Sequence, residues 1–304
     1  MCLAARFGNA RSLKALLDGG ADANAADSLG DTALMEAVMH KQKTCARMLL
    51  PHSNLSATNK KGQSALHMSV GTGDWDCFSM LVKRVGDLDV RTVQGINPET
   101  GEQLRDFGRT ALHVACLHGQ HDMAAVLLHR GASRTARDSL GCSPAYRAAQ
   151  EGHLSCLVLL LGLPGDYRMT PAEVNAAAED GWTALHAAAY FGHIKCCGAL
   201  IAAGASLDAK TNAGHTSRML AQQEHPANAA LLELLSGRGS EHPPGVGCDQ
   251  CGGVSADGMM ITCIGCNAAR YCSAACAALH WRGHEAECER LVAEREEQTR
   301  VQIV

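Results

Sequence analysis

Long apolar segments are missing from this sequence of 304 residues. The longest apolar stretch, residues 156–163, is far shorter than the roughly 20 residues that a membrane-spanning helix needs. Residues 1–11 contain Arg6, Asn9 and Arg11 and therefore lack the apolar core of a secretory signal peptide. We expect no membrane association, and a location in the cytoplasm, the nucleus or both.

An excess of positive charge is also missing. Lys and Arg total 27 and Asp and Glu total 31, which gives a formal net charge of −4. Affinity for nucleic acids depends on Lys and Arg that neutralise phosphates, so we expect no nucleic-acid partner. The motifs Gly-x4-Gly-Lys-Ser/Thr, Gly-x-Gly-x-x-Gly and His-Glu-x-x-His are absent as well, and we predict that the chain is not an enzyme.

Cysteine, in contrast, is abundant, with 15 residues. In a protein without a secretory signal, thiols bind metal or lie buried rather than forming disulfides. Scattered cysteines in the first 200 residues are expected to be small core residues. They are Cys2, Cys45, Cys77, Cys116, Cys142, Cys156, Cys196 and Cys197. His193 offers these last two a third metal ligand, but a fourth is missing, so we predict no metal site there.

A six-residue pattern of the form Gly-x-Thr-Ala-Leu-His recurs through the first three quarters of the chain. Successive copies start 32, 46, 33, 40 and 33 residues apart, which indicates a 33-residue period with two insertions, of 13 and 7 residues. A period of this length is typical of stacked supersecondary units. The copies begin at Gly30, Gly62, Gly108, Gly141, Gly181 and Gly214.

Residues 181–213 show the repeating unit most clearly. Thr183 is a candidate N-cap for a short Ala-rich helix over 184–190, because its hydroxyl can accept from free backbone N–H groups. A second helix is predicted over 194–203, with Gly204 in a left-handed conformation after it.

This unit resembles the ankyrin repeat, whose pattern is Gly-x-Thr-Pro-Leu-His, Ala-Ala, Gly-His and Leu-Leu-x-x-Gly-Ala. Residues 108–132 and 181–205 match most of it, whereas 141–161 and 214–235 match less well. The resemblance extends over residues 1–236 and implies about seven repeats, the first truncated and the last a cap. The expected fold is mainly α: a solenoid of helix–turn–helix repeats with hairpin turns and a concave face that binds a protein.

Two insertions, near 91–105 and 163–172, interrupt the array. In the second, Thr170-Pro171-x-Glu173 has the form of a capping box, whereas Val174-Asn175 fits the ordinary turn between repeats. The two interpretations conflict in part, and the repeat register is preferred.

Histidines recur in the array at the ankyrin histidine position, as His67, His113 and His186. The resemblance implies that each imidazole joins neighbouring turns by hydrogen bonds and has no catalytic role. Trp182 is predicted at a hairpin tip, where it either anchors a partner protein or packs against the neighbouring turn.

Residues 237–247 are rich in Gly, Ser and Pro and predict a flexible linker. After it, seven cysteines and two histidines lie within 41 residues, and the seven cysteines and one of the histidines form four closely spaced pairs. Structural zinc takes four ligands, so eight predict two Zn²⁺ ions with no position left for a catalytic water. The pairs are Cys248-x2-Cys251, Cys263-x2-Cys266, Cys272-x3-Cys276 and His284-x3-Cys288, and their spacing alone does not show which pairs share an ion.

The same segment resembles the MYND zinc finger over residues 248–288. His280 is a competing ligand, but only His284 has the x3 spacing to Cys288. Disulfides are disfavoured in a reducing compartment, and a RING finger would require a closing Cys-x2-Cys pair. The resemblance implies interleaved sites, with Cys248, Cys251, Cys272 and Cys276 on the first zinc and Cys263, Cys266, His284 and Cys288 on the second.

MYND fingers bind short proline-containing peptides, often Pro-x-Leu-x-Pro, against a tryptophan whose position Trp281 matches. Ile264 and Ala277 stand where the family often has a small polar residue and a glutamine. The resemblance therefore implies peptide binding without fixing the peptide motif. Residues 289–304 form a charged tail to which no function is assigned.

The predicted function is a protein–protein adaptor, in which the ankyrin face binds one partner and the finger a second. The alternatives are a zinc-module component of a ubiquitin ligase and a transcriptional corepressor cofactor. A methyltransferase is disfavoured, because the repeats and the finger leave no stretch long enough for its catalytic domain. The sequence does not determine the partners, the process that they serve or the oligomeric state.

Overall fold

The computed structural model describes residues 1–92, 107–162 and 168–236, together with two short strands at 261–262 and 270–271. The core of the first insertion, part of the second, the linker and the tail lie outside these residues. The chain divides into two compact units. The first comprises residues 1–156 and 177–179, and the second comprises residues 157–176 and those from 180 onward.

Helices in the first unit come in consecutive pairs. The pairs are α1 (Cys2–Arg6) with α2 (Ala10–Asp18), α3 (Ala33–Met39) with α4 (Lys43–Leu49), α5 (Ala65–Gly71) with α6 (Trp75–Val82), α7 (Ala111–Leu117) with α8 (His121–His129), and α9 (Pro144–Gln150) with α10 (Leu154–Leu161). A 3₁₀ turn, Leu50–His52, extends α4, and the boundary between the units falls within α10.

The first helices of these pairs pack on one another in sequence, from α1 through α3, α5 and α7 to α9. The second helices α2, α4, α6 and α8 do the same. Small side chains make this close stacking possible, since Ala37, Ala115 and Ala148 are fully buried between larger residues such as Leu112 and Leu127. The first unit is therefore a two-layer stack of helix pairs, as the repeat pattern predicts.

The second unit continues the pattern with different members. It contains α11 (Pro171–Val174), α12 (Ala184–Tyr190), α13 (Ile194–Ala202), α14 (Ser217–Glu224), α15 (Ala229–Leu234) and strands β1 (Ile261–Thr262) and β2 (Arg270–Tyr271). Helix α12 packs on α13 and α14, and α15 packs on both of these. Thr183 caps α12 as predicted, and Gly204 has the expected left-handed conformation with φ of 95°. Helix α13 ends at Ala202, one residue before the predicted end.

Hairpin turns connect successive pairs and are closed by backbone hydrogen bonds. The N–H of Asp138 donates to the carbonyl of Cys142 at 3.0 Å in one such turn. The hairpin turn that contains the first insertion is closed in the same way, although its two ends are further apart in the sequence. The N–H of Thr92 donates to the carbonyl of Arg109 at 2.9 Å, and Thr92 Oγ1 accepts the N–H of Arg109 at 2.9 Å. The two ends of this insertion are thus held together within the regular array.

The two interpretations of residues 170–175 are both correct, and the expected conflict between them does not exist. Glu173 Oε2 accepts the N–H of Thr170 at 2.6 Å and Thr170 Oγ1 accepts that of Glu173 at 3.3 Å, which completes a capping box. Asn175 also donates to the carbonyl of Gly204 at 2.9 Å, and its side-chain oxygen accepts the backbone N–H of Ser206 at 2.7 Å. Asn24 makes the same two contacts in the first unit, so the one-turn helix fits within the repeat register.

Gly119 is required by a close approach from the next repeat. Gly119 has φ of 67°, and a Cβ added there would lie 2.7 Å from Nδ1 of His153. His153 reaches this position because its Nε2 atom bonds the carbonyl of Leu117 at 3.1 Å. Any larger residue would both strain the backbone and displace this contact between neighbouring repeats.

Among the helices of the described residues, none combines the length and the hydropathy that crossing a bilayer requires.

Candidate functional site

The recurring histidines are structural, as predicted. His113 is fully buried; its Nδ1 accepts the backbone N–H of Thr110 at 3.2 Å, which places the ring proton on Nε2. That Nε2–H donates to the carbonyl of Cys142 in the next turn at 3.1 Å. Burial lowers the pKa of His113 to about 4, so the ring is neutral near pH 7.

Equivalent bonds join His67 to the carbonyl of Arg109 and His186 to that of Ala209, both at 3.0 Å. Burial also lowers the pKa of His67 and of His186. All three imidazoles are therefore engaged inside the fold and have no free nitrogen for substrate chemistry.

At the fourth copy of the pattern, Tyr146 stands at the histidine position. A buried ion pair takes the place of the histidine hydrogen bonds there. Arg147 donates through Nε to Asp138 Oδ2 at 2.9 Å, and its side chain is 6% exposed while that of Asp138 is fully buried. The second oxygen of Asp138 accepts the backbone N–H groups of Leu140 and Cys142. The sequence analysis missed this pair, although the departure from histidine at position 146 was its signal.

A second ion pair joins the first two helix pairs. Arg6 donates to both carboxylate oxygens of Glu36 at 2.7 Å, and the Glu36 side chain is almost fully buried. Asp27, Asp31 and Glu36 have oxygens within 4.8 Å of one another, the one group of described residues with a metal-like arrangement. Arg6 already binds Glu36, and Asn59 donates to Asp31 at 2.8 Å, so these carboxylates are satisfied by the fold.

The array cysteines are free thiols, and all except Cys2 are buried, which confirms the prediction that they are core residues. Burial raises the pKa of Cys77 and of Cys197 to about 12, and those of Cys156 and Cys196 to about 11. High pKa values keep these thiols protonated and unreactive at neutral pH. Among the described residues, the one group with ligand atoms close enough together to hold a metal ion does not include Cys196 or Cys197.

In the first unit, exposed apolar side chains occur at a hairpin and at the end of a first helix. Leu29, whose carbonyl accepts the N–H of Lys60, is 43% exposed at a hairpin, and Met39 is 41% exposed at the end of α3. Exposed apolar residues on a rigid scaffold are candidates for protein contact. We call these two residues the unit-1 contact pair.

In the second unit, four rings form a continuous row along α12 and the turn after it. Trp182 lies 5.3 Å from Tyr190 at 70°, Tyr190 lies 5.1 Å from Phe191 at 85°, and Phe191 stacks on His193 at 6.3 Å. Phe191 is 48% exposed, and Trp182 and Tyr190 are half-buried. We call these four residues the ring row.

The ring row settles part of the prediction for Trp182. Its indole packs on its own helix, against Tyr190 and, at 6.3 Å, against His186. Trp182 therefore packs on its helix and is at the same time only half-buried. The sequence analysis missed Tyr190 and Phe191, whose signal was that three of the chain's 11 aromatic residues fall within ten positions.

The predicted zinc ligands and Trp281 lie outside the described residues, but two strands among them are described. Strands β1 and β2 pair antiparallel, with Ile261 opposite Tyr271 and Thr262 opposite Arg270. Cys263 and Cys266 fall within the connection between these strands, and Cys272 follows β2 directly.

A donor set of seven thiolates and one imidazole suits Zn²⁺, which prefers sulfur and nitrogen ligands in tetrahedral structural sites. The hairpin is consistent with this, since a Cys-x2-Cys pair in a strand connection can bind one ion with both thiolates. The residues present therefore fit structural zinc.

Comparison with known families agrees with this organisation. Residues 1–94 and 90–170 match the family model "Ankyrin repeats (3 copies)", and residues 180–212 match "Ankyrin repeat". Residues 248–288 match "MYND finger", the span predicted from the ligand spacing. Zinc binding follows from the last match.

Two curated relatives are similar to part of this chain. Ankyrin repeat and SOCS box protein 3 of Bos taurus is 28% identical over 173 residues, which are 49% of this chain and 33% of that protein. B-cell lymphoma 3 protein homolog of Mus musculus is 28% identical over 225 residues, which are 72% of this chain and 45% of that protein. The chain thus spans less than half the length of these relatives.

Solved structures show the same fold. The ankyrin repeat domain of Bcl-3 superposes with a TM-score of 0.59 at 26% identity, covering 78% of this chain and 97% of that one. The human ASB11 ankyrin repeat domain gives a TM-score of 0.61 at 21% identity, covering 80% and 98%.

Proposed function

The chain belongs to the ankyrin-repeat proteins and also carries a MYND finger, and we propose on this basis that it is a non-enzymatic adaptor. Both kinds of module mediate protein–protein binding. The array would hold one partner and the finger a second. The ring row and the unit-1 contact pair are the described surfaces suited to the first role.

The observation that carries the proposal is how the polar groups of the array are used. The buried histidines, the Arg147–Asp138 pair and the Arg6–Glu36 pair are each committed to contacts between neighbouring repeats. These buried polar side chains therefore hold the fold together. The surface also exposes apolar and aromatic side chains, among them Leu29, Met39 and Phe191, and aromatic residues and Met are enriched in protein-contact sites.

For the finger, we propose two Zn²⁺ ions in the interleaved arrangement, with Trp281 as the contact for a proline-containing peptide. Each ion would have a closed set of four protein ligands and so would stabilise the fold without activating water. We also propose a location in the cytoplasm, the nucleus or both, because free thiols and zinc thiolates require a reducing compartment.

Affinity purification of the full chain, followed by mass spectrometry, tests the adaptor function. Trp281→Ala is expected to lose one set of partners, and Leu29→Glu with Met39→Glu a different set. Trp75→Ala serves as a matched control, because Trp75 is 48% exposed, which is similar to Leu29 and Met39, but lies on the second-helix layer. The four baits are the wild type and these three variants. If all four recover the same proteins, or if none recovers any protein beyond background, the two-partner adaptor is refuted.

A ubiquitin ligase component and a transcriptional corepressor remain the alternative proposals. Names of relatives such as "Ankyrin repeat and SOCS box protein 3" motivate the first, but that match covers only a third of the relative's length. Ubiquitin discharge that depends on the full chain would favour the ligase alternative over the adaptor.

A further inference from the structure

The first helices of the first unit end in a row of large side chains with one exception. Helices α1, α3, α5, α7 and α9 stack in that order, so their last residues are neighbours from one repeat to the next. Gly71 ends α5 and leaves a gap in this row between the side chains of the preceding and the following repeat. The five last residues are Arg6, Met39, Gly71, Leu117 and Gln150.

The fold does not require glycine at position 71. Gly71 is exposed and is not among the residues with a left-handed φ. Apart from its own helix and chain neighbours, a Cβ added there would have one heavy atom of the described residues within 4 Å, Val114 Cγ1 at 3.8 Å. At Gly119, by contrast, the added atom would lie 2.7 Å from His153. Since glycine lowers helix stability relative to alanine, Gly71 weakens α5 without a structural need for it.

Apolar side chains lie around the missing one. Met39, in the preceding repeat, is 41% exposed, and Leu117, in the following repeat, is part-exposed. Val114 lies beneath, as the distance to its Cγ1 atom shows. We call Met39, Gly71, Val114 and Leu117 the Gly71 gap. An apolar gap on a packed scaffold suits one large aromatic or aliphatic side chain of a partner, because such anchors fill recesses that become desolvated on binding.

The residues that follow these helix ends indicate the charge of the partner. The C-caps of α3 and α7 are His40 and His118, both exposed, and that of α5 is Thr72. From α1 to α7, none of the last residues and C-caps is acidic, and the first carboxylate at either position is Glu151 after α9. Imidazole and hydroxyl groups can donate to a carboxylate, so an acidic residue beside the anchor is complementary to this surface.

We propose that the Gly71 gap receives one bulky apolar side chain, with an Asp or Glu next to it, from the protein that the array binds. This inference rests on the adaptor function proposed above and specifies the chemistry of that partner. The lack of a side chain at position 71 then has a role in recognition, since even a methyl group would narrow the space for the anchor.

Panning a phage-displayed library of random peptides against the full-length, zinc-loaded chain tests the proposal. Enriched peptides are expected to share a Phe, Leu, Met or Trp beside an Asp or Glu. Calorimetric titration then compares their binding to variants. Gly71→Leu fills the gap and should raise the Kd about tenfold or more, the change that follows from losing one modest contact. Gly86→Leu is the matched control, because a Cβ at Gly86 also meets nothing within 4 Å.

Gly71→Ala separates recognition from a structural role. Alanine strengthens the helix and restricts the unfolded chain, so the urea midpoint should rise while the Kd of the enriched peptides also rises. A glycine that the fold requires would instead give a lower midpoint. Circular dichroism verifies that each variant is folded.

Four results would overturn the proposal: no enrichment of the apolar–acidic pair, equal affinity of the enriched peptides for the wild type and Gly71→Leu, an equal loss of affinity in Gly86→Leu, or a lower urea midpoint in Gly71→Ala. Failure here is distinct from failure of the adaptor function. If affinity purification with Gly71→Leu still recovers the partners that Leu29→Glu with Met39→Glu loses, the adaptor function stands and the Gly71 gap is not its anchor site.

Discussion

The Nε2 atom of His113 lies 3.1 Å from the carbonyl oxygen of Cys142, 29 residues later in the sequence. This bond connects the first helix of one repeat to the hairpin of the next. It forms only when the imidazole is neutral and protonated on Nε2, because Nδ1 accepts from Thr110. The stability of the array should therefore depend on pH.

Acidification is expected to destabilise the array through its buried histidines. An unfolded histidine has a pKa of about 6.5, whereas burial holds that of His113 at about 4. Between these values the unfolded chain binds more protons, so the free energy of unfolding falls as pH decreases from about 6.5 to about 4. The lowered pKa values of His67 and His186 act in the same direction. Urea denaturation at a series of pH values measures the slope.

His113→Gln should reduce that pH slope and lower the unfolding free energy at neutral pH by about 1–3 kcal/mol, since buried hydrogen-bond partners are left unsatisfied. His121→Gln is the control, because that side chain is exposed on α8, where it bonds to the adjacent Asp122. An unchanged slope in His113→Gln would show that the acid sensitivity arises elsewhere.

The buried Arg147–Asp138 pair gives a second prediction. Asp138→Asn keeps an oxygen for the N–H groups of Leu140 and Cys142 but removes the negative charge that pairs with Arg147. We expect a loss of about 3–5 kcal/mol, the usual cost of an uncompensated buried charge. Adding Arg147→Met should restore most of it, because the buried positive charge is then removed while the asparagine at position 138 still accepts the two N–H groups.

The measurement is the free energy of unfolding of the wild type, both single variants and the double variant. Arg6→Met provides a comparison, since the Arg6 side chain is 37% exposed and its removal should cost less than that of Arg147. Additive losses in the double variant would show that the two residues are not coupled.

The fold could be predicted because its determinants are local and repeated. Thr183, the Ala-rich helix after it and Gly204 obey capping and backbone rules that act within a few residues, and the periodic pattern then implies stacking. Residues 170–175 show where this reasoning was too strict. A four-residue helix is short enough to fit inside the turn, which the pattern alone did not reveal.

The side-chain contacts across repeats were harder to predict from the sequence. The Arg147–Asp138 pair joins positions nine apart whose proximity depends on the hairpin. The ring row depends on the direction in which Trp182 leaves its turn and lies along α12. The spacing of residues in the sequence specifies neither the hairpin geometry nor the direction of Trp182. The cluster of aromatic residues and the departure from histidine at Tyr146 were nevertheless visible in the sequence. The zinc ligand assignment and the domain boundaries stay predictions.

Thiol alkylation under native conditions should separate the array cysteines into two classes. Burial raises the pKa of Cys156 and Cys196 to about 11, and a protonated, inaccessible thiol does not react. At neutral pH, iodoacetamide should modify Cys2, which is part-exposed, while the other array cysteines react only after denaturation. Peptide mapping by mass spectrometry reads this out. Native modification of Cys116 or Cys197 would contradict the packing of the core.

The zinc arrangement gives the last prediction, because pairs of substitutions distinguish the two ways of sharing the ligands. If the sites are interleaved, Cys251 and Cys272 bind the same ion, and Cys251→Ser with Cys272→Ser should lose one zinc of two. Cys251→Ser with Cys263→Ser should then lose both. A sequential arrangement, with the first four cysteines on one ion, predicts the opposite result for each variant.

Zinc content is measured by elemental mass spectrometry on the full chain, with Cys45→Ser as the control because Cys45 is buried in the array. His284→Ala should behave as a ligand variant and His280→Ala as wild type. One zinc per wild-type chain would contradict the two-ion proposal. A loss of both ions from Cys251→Ser with Cys272→Ser, together with one retained in Cys251→Ser with Cys263→Ser, would establish the sequential arrangement instead, since no other division of the four pairs gives that pattern while keeping each pair on one ion.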